Sequence, residues 1–190
     1  MKPATIHVLD LTEDPAPDAV AAQIRKLVRT GRGDILLIEG GLDRPLSASS
    51  MGWMGQLVDA EFLPVVVGGG EVRSQGLALL LLSDRAWLAS DSKATIGGGL
   101  LPELAFLRLG PGLARRFAFA AEPVAELARC GLVELCAEPM PAARAALQAL
   151  PAGAALRWRK GWRAARELPG AEALAYGSWY DRVEDSYSVD

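Results

Sequence analysis

Pro64-Val65-Val66-Val67-Gly68-Gly69-Gly70-Glu71-Val72-Arg73-Ser74-Gln75-Gly76-Leu77-Ala78-Leu79-Leu80-Leu81-Leu82-Ser83-Asp84 is the stretch on which the fold turns. Its first four residues are a short apolar run rich in valine, which ends in three glycines and so reads as a buried strand entering a turn. From Gly76 to Leu82 no residue is polar. A helix without a polar face must run through the interior. A turn that opens such a helix leaves backbone N–H groups unpaired at the positive end of the helix dipole, in a place shielded from water. That arrangement suits a developing oxyanion; the plainer alternative is a core helix capped by Ser74.

Upstream, Asp34-Ile35-Leu36-Leu37-Ile38-Glu39 is a second, nearly continuous apolar run, as expected of a strand covered on both faces, and Gly40-Gly41 ends it. Before it, Thr5-Ile6-His7-Val8-Leu9-Asp10-Leu11 reads as a strand and residues 13–17 as a break. The intervening helix places Val20, Ile24, Leu27 and Val28 on one face and stops at Gly31. Ser49 or Ser50 is expected to cap a helix carrying Met54, Leu57 and Val58. Downstream, residues 85–90 and 93–97 read as a pair of short strands around Asp91-Ser92, and helices are expected over 112–119 and 124–130. Residues 132–137 are the last strand; from Pro141 the composition is helical, broken at Pro151 and Pro169-Gly170. Alternating strands and helices give an α/β class, with a core over 1–138 and a C-terminal helical segment over 139–190.

The 190 residues, half of them apolar, suit one domain with a sizeable core. A formal charge of −3 supplies no basic field for nucleic acid or anionic lipid. The apolar runs are too short to span a bilayer and the N-terminus lacks a signal core, so a cytoplasmic location and no membrane are expected. Cys130 and Cys136 lack metal-ligand spacing and read as free thiols, and no metal site is expected. The single histidine, His7, stands apart from the other polar motifs. No phosphate loop is completed after Gly68-Gly69-Gly70, because no Gly-Lys-Ser/Thr follows.

Taken in order, three segments resemble the crotonase (enoyl-CoA hydratase/isomerase) superfamily. Leu46-Ser47-Ala48-Ser49-Ser50-Met51 is similar to the family's Phe-Ser-Ala-Gly-x-Asp turn, and residues 64–84 to its strand, glycine triplet and buried helix ending in Cys-Asp. The pieces around Phe119-Ala120-Ala121 and Ala128-Arg129-Cys130-Gly131-Leu132-Val133 are similar to its Leu-Thr-Gly…Glu-Ala…Gly-Leu-Val segment. The resemblance implies a ββα spiral core with a C-terminal helical segment and a trimeric or hexameric homo-oligomer. It implies two backbone donors for a thioester carbonyl: Ala48, and either Gln75 or Gly76 according to the direction of counting. With Ser74-Gln75-Gly76 standing for three glycines, the Gln75 side chain either crowds the thioester or offers it an amide.

The family's two glutamates are absent from the matching positions. The first falls on Ala78 or Leu79, and the second falls in Ile96-Gly97-Gly98-Gly99-Leu100. Water addition needs a base and a proton donor, so ordinary hydration is not expected. Glu103, after Leu100-Leu101-Pro102, is the remaining acid/base candidate; its alternative is a helix N-terminal glutamate complementing the dipole. Ser47, Ser49, Arg73 and Gly98 are the candidate substrate contacts, with Ser50 in the hydroxyl cluster and Glu71 beside Arg73. Trp158 and Trp162, among Arg157, Arg159, Lys160 and Arg163, read either as helix packing with basic chains reaching solvent or as a contact for a CoA phosphate or an acyl-carrier protein. The implied function is that of a lyase or isomerase, of decarboxylase, dehydratase/hydratase or isomerase type, working through an enolate of an acyl-CoA or acyl-carrier-protein thioester, in specialised, polyketide- or fatty-acid-like biosynthesis. Decarboxylation is the reaction needing least acid/base help, and the CoA or phosphopantetheine arrives on the substrate, so no separate cofactor is implied. The alternative is an inactive relative that binds or stabilises a biosynthetic partner enzyme.

Overall fold

Residues 3–31, 33–96, 101–148 and 150–167 are described by a computed structural model, with backbone alone for 152 and 162–167. In chain order the elements are β1 (Ile6–Asp10), α1 (Pro17–Thr30), β2 (Ile35–Glu39), α2 (Ala48–Val58), β3 (Leu63–Gly68), β4 (Glu71–Val72), α3 (Ser74–Leu82), β5 (Arg85–Ala89), β6 (Lys93–Ala94), α4 (Leu101–Ala118), α5 (Pro123–Arg129), β7 (Val133–Cys136), α6 (Pro139–Gln148) and α7 (Ala152–Glu167). The larger sheet is parallel throughout, in the order β1-β2-β3-β5-β7, and β4 pairs β6 in a second parallel sheet.

The period-two geometry of a strand sorts the apolar runs between two cores. Leu36, Ile38, Val66, Ala86 and Leu88 face the helices α1 to α5, together with Val20, Ile24, Trp53, Leu57 and Phe117. Their neighbours Ile35, Leu37, Val65, Val67 and Trp87 face the other way, onto Ala143, Leu147 and Ala155 of α6 and α7. Parallel strands covered on both faces explain why β2 and β3 read as unbroken apolar runs. Eight of the nine residues of α3 are buried, as its lack of a polar face demands.

Three sequence readings are corrected. β5 and β6 do not pair with each other: β5 lies between β3 and β7, and the turn closed by Ser92 N–H on Ala89 C=O at 2.9 Å hands the chain to the smaller sheet. The helix expected from Gly112 begins at Leu101; Gly110, at φ 71°, followed by Pro111, breaks it into two pieces, and only the second had been expected. α2 is capped by Ser47, whose Oγ accepts from Ser50 N–H at 3.1 Å. Replacing Ser47 with alanine is expected to lower the unfolding free energy by about 1 kcal/mol, measurable in urea.

The end of α3 is tied down by α7. Arg159, only 4% exposed, donates to Asp84 Oδ2 at 3.0 Å and to the carbonyls of Leu57, Val58 and Ala60, the last turn of α2 and the residues beyond it. Arg108 and the indole N–H of Trp158 reach Asp84 Oδ1, both at 3.3 Å. Burial pushes the Asp84 carboxyl upward, and the two guanidinium groups and the indole N–H pull against it. Arg159 therefore serves the core rather than a ligand phosphate at the surface.

Both cysteines are free and partly buried. No described helix is long and apolar enough to cross a membrane. Among the described residues, no group of three His, Cys, Asp or Glu side chains is placed to hold a metal ion.

Candidate functional site

Gly40 and Gly41, with φ of 77° and 66°, turn the chain sharply after β2 and lay the 41–46 loop across the start of α3. A Cβ on Gly41 would stand 2.9 Å from Leu11 Cβ, so both the left-handed backbone and the contact call for glycine there. The loop is laced to α3 by Arg73 N–H on Leu42 C=O at 2.8 Å, Gln75 N–H on Arg44 C=O at 3.1 Å and Leu46 N–H on Ser74 Oγ at 2.8 Å. Ser74 is thus spent on the loop, and Arg73 occupies the N-cap position without a capping bond from its side chain.

Two cavities lie on either side of this loop. One, of about 410 Å³, is lined by Asp14, Arg44, Ser47, Ser49, Ser50 and Gln75, with Leu11, Val20 and Trp53 among its apolar wall. The other, of about 360 Å³, is lined by Thr12, Gly40 to Asp43, Gly68, Gly69 and Glu71.

The first cavity gathers the sequence candidates Ser47, Ser49 and Gln75, which lie 25 or more residues apart in the chain for the serine–glutamine pairs. Its polar wall is a connected chain: Ser49 Oγ to Ser47 Oγ at 2.9 Å, Ser47 Oγ to Ser50 Oγ at 2.8 Å, Ser50 Oγ to Gln75 Oε1 at 2.6 Å, and Gln75 Nε2 to Gly41 C=O at 3.0 Å. Ala48 is the first residue of α2 and is exposed between Ser47 and Ser49. Its N–H, like that of Ser49, lies ahead of the first bonds of the helix, which are Ser50 N–H on the Ser47 hydroxyl and Met51 N–H on Ser47 C=O. Arg44, which sequence reading did not single out, forms one side, with its guanidinium on Leu11 C=O at 2.6 Å and on the Asp14 carboxylate at 2.6 Å. A lone arginine in a loop carries no signal for such a role; the path of the loop supplies it.

The other candidates are placed elsewhere. Gly76 is packed against the loop backbone, where a Cβ would lie 2.4 Å from Leu42 C=O. Arg73 is exposed and forms a two-point pair with Glu71, at 2.9 and 3.1 Å. The hydrogen bond from Arg73 holds the Glu71 carboxyl below the usual carboxylate range, so Glu71 stands ionised beside the second cavity. Asp10 is likewise held low, by the hydroxyl and backbone N–H of Thr12. Glu103 is exposed in the first turn of α4 and does not line the Ser47–Gln75 cavity. Ala78 and Leu79, where the first glutamate of the family pattern falls, are both 0% exposed. Gly98 lies outside the described residues, as does the side chain of Trp162. His7 bonds Asp34 at 2.9 Å between the edge strand β1 and the start of β2, away from the cavity lining.

Chemically, the cavity offers hydroxyls, an amide and the starts of two helices, and no lining carboxylate besides Asp14, which is engaged by Arg44. It can bind and polarise a polar group, and it holds no base and acid pair for adding water.

No protein-family model matches the sequence, and no curated protein matches it. Solved structures do match in shape. An enoyl-CoA hydratase/isomerase family protein from Silicibacter pomeroyi superposes with a TM-score of 0.73 at 16% identity, over 95% of this chain and 94% of its own. An enoyl-CoA hydratase from Mycobacterium smegmatis gives 0.73 at 13% identity, over 94% and 86%. An enoyl-CoA hydratase/isomerase from Marinobacter aquaeolei gives 0.68 at 11% identity, over 99% and 88%. Likeness at this identity establishes the fold, the crotonase fold that the ordered segments of the sequence imply.

Proposed function

We propose that this crotonase-fold chain binds an acyl-CoA or acyl-carrier-protein thioester in the Ser47–Gln75 cavity and decarboxylates it through an enolate, without hydrating it. One observation carries this reading. The starts of α2 and α3 meet at a single cavity through the 2.6 Å bond from Ser50 to Gln75, while the position expected to hold the hydratase base is buried and apolar at Ala78 and Leu79.

In the proposed step, the bond between the α-carbon and the substrate carboxylate breaks and CO2 leaves. The electron pair moves into the bond between the α-carbon and the thioester carbonyl, and the negative charge settles on the carbonyl oxygen. The backbone N–H of Ala48, and that of Gln75 once Arg44 C=O leaves it, stand at the positive ends of two helix dipoles and are suited to hold that charge. A proton from water completes the product at the α-carbon. No protein base is needed to start the reaction, which is why it fits a site without the glutamate pair.

Incubation with malonyl-CoA is expected to release acetyl-CoA and CO2, and incubation with crotonyl-CoA to leave it unchanged. Hydration of crotonyl-CoA would overturn the proposal. Glu103→Gln is expected to alter the decarboxylation rate by no more than about twofold, whereas loss of a true general acid or base costs about 10²-fold or more.

A second reading, an inactive relative that stabilises a partner enzyme, is favoured by the bond already made between Gln75 N–H and Arg44 C=O. Thioester binding with no turnover of any malonyl-type substrate would select it. Assembly into a homo-oligomer, or with a biosynthetic partner, belongs to either reading and would be measured as solution mass.

A further inference from the structure

The position where a thioester carbonyl would meet Gln75 is filled by the chain itself. We propose that the 41–46 loop is a latch closed by Gln75, and that Gln75 decides whether the site engages the carbonyl of a bound thioester. The inference rests on the thioester reading above.

The hydrogen bonds fix the arrangement without freedom of assignment. Gly41 C=O can only accept, so the Gln75 nitrogen must face it at 3.0 Å, and the Gln75 oxygen must face Ser50. Ser50 then gives its hydroxyl proton to Gln75. Ser47 has to donate to Ser50, and Ser49 to Ser47, which also accepts from Ser50 N–H. Every hydroxyl proton of the cluster is thus committed along the chain toward the glutamine. The third donor of Gln75, its backbone N–H, is on Arg44 C=O at 3.1 Å. Gln75 is 4% exposed, and its side-chain oxygen, its side-chain nitrogen and its backbone N–H each have a partner in the protein.

A ligand carbonyl can take the Gln75 N–H only if Arg44 C=O leaves it. Arg44 is itself anchored, through its guanidinium, to Leu11 C=O and to Asp14. The loop therefore moves as a unit or not at all, and the Gln75 carboxamide is the inner tie that holds it. A glycine at this position would leave the loop without that tie and would free the Ser50 proton to face the cavity.

The test compares CoA and acetyl-CoA, which differ by the acyl carbonyl and its methyl, by titration calorimetry on the wild-type protein, Gln75→Gly and Gln75→Ala. Wild type is expected to bind both within about twofold. The variants are expected to prefer acetyl-CoA by about tenfold, the effect of roughly one additional good hydrogen bond. Amide hydrogen exchange on free wild type supplies an independent readout, with the Gln75 N–H protected well beyond the rate of an open loop. A wild-type preference for acetyl-CoA as large as that of the variants would overturn the latch, as would rapid exchange at Gln75. Absence of CoA binding in all three proteins, with Gln75 protected, would remove the thioester reading and leave the closed latch standing.

Discussion

Replacing Arg159 with alanine is expected to lower the unfolding free energy by about 3–5 kcal/mol, the range for breaking one partner out of a buried, hydrogen-bonded ion pair. The side chain holds Asp84 Oδ2 and three backbone carbonyls at once, and Asp84 has a side-chain exposure of only 1%. Without the guanidinium, a buried carboxyl keeps only Arg108 and the Trp158 indole, both at 3.3 Å on its other oxygen. The three carbonyls at the end of α2 lose their donor at the same time. For a chain of this length the melting temperature is expected to fall by about 10 °C. Lysine at 159 would restore the charge without the fork that serves Asp84 and the carbonyls together, so it is expected to recover only part of the loss. Arg157→Ala, on the exposed side of the same helix, is the control, expected to cost no more than about 1 kcal/mol. Calorimetric melting of the three variants checks the set.

The second large effect is at Gly76. Alanine there is expected to destabilise the protein by about 2 kcal/mol or more, since overpacking that the backbone must absorb costs about 1–3 kcal/mol or beyond. The added Cβ would lie 2.4 Å from Leu42 C=O and 2.9 Å from Leu42 Cα, both backbone atoms of the latch loop. Neither can move without straining the 2.8 Å bond from Arg73 N–H to Leu42 C=O. The variant is thus expected to loosen the 41–46 loop as well as the fold, seen as faster amide exchange at Arg73 and Gln75. Gly52, in the middle of α2, gives the opposite sign. A Cβ there meets nothing within 4 Å, so Gly52→Ala is expected to stabilise by about 0.5–1 kcal/mol through helix propensity alone. Equal effects of the two substitutions would show that contact with Leu42 is not what requires glycine at 76.

Much of the architecture is legible in the sequence because its signals are local. The runs 35–38 and 64–67 are apolar on both faces because both faces of the sheet are covered, and the glycines after them mark where the chain must turn. α3 announces its burial by composition. Where several residues have equal local credentials, the sequence leaves a choice that tertiary contacts settle. Three serines stand near the start of α2, and the cap is Ser47 because Ser50 turns its hydroxyl to Gln75. The first half of α4 was hidden behind Gly110-Pro111, a breaker that divides two helical pieces instead of starting one.

The site is half legible for a related reason. A backbone donor at Gln75 follows from its place at the start of a buried helix. What that donor faces depends on a loop more than 25 residues upstream, and nothing near Gln75 in sequence points to Arg44. The same holds for Arg159, which looks like one of several basic residues on α7 until the helix docks and buries it against Asp84.

The most direct measurement is a crystal structure of the Gln75→Gly protein with acetyl-CoA, in which the inner tie of the loop is gone. The acyl group is expected in the cavity beside Ser47, with the 41–46 loop displaced and the thioester oxygen within about 3.2 Å of the amide nitrogens of Ala48 and residue 75. An acyl group seated elsewhere, such as the 480 Å³ apolar cavity between Leu63, Leu147 and Trp158, would contradict the central claim, as would an Arg44 carbonyl still bonded to the amide of residue 75 beside a bound thioester.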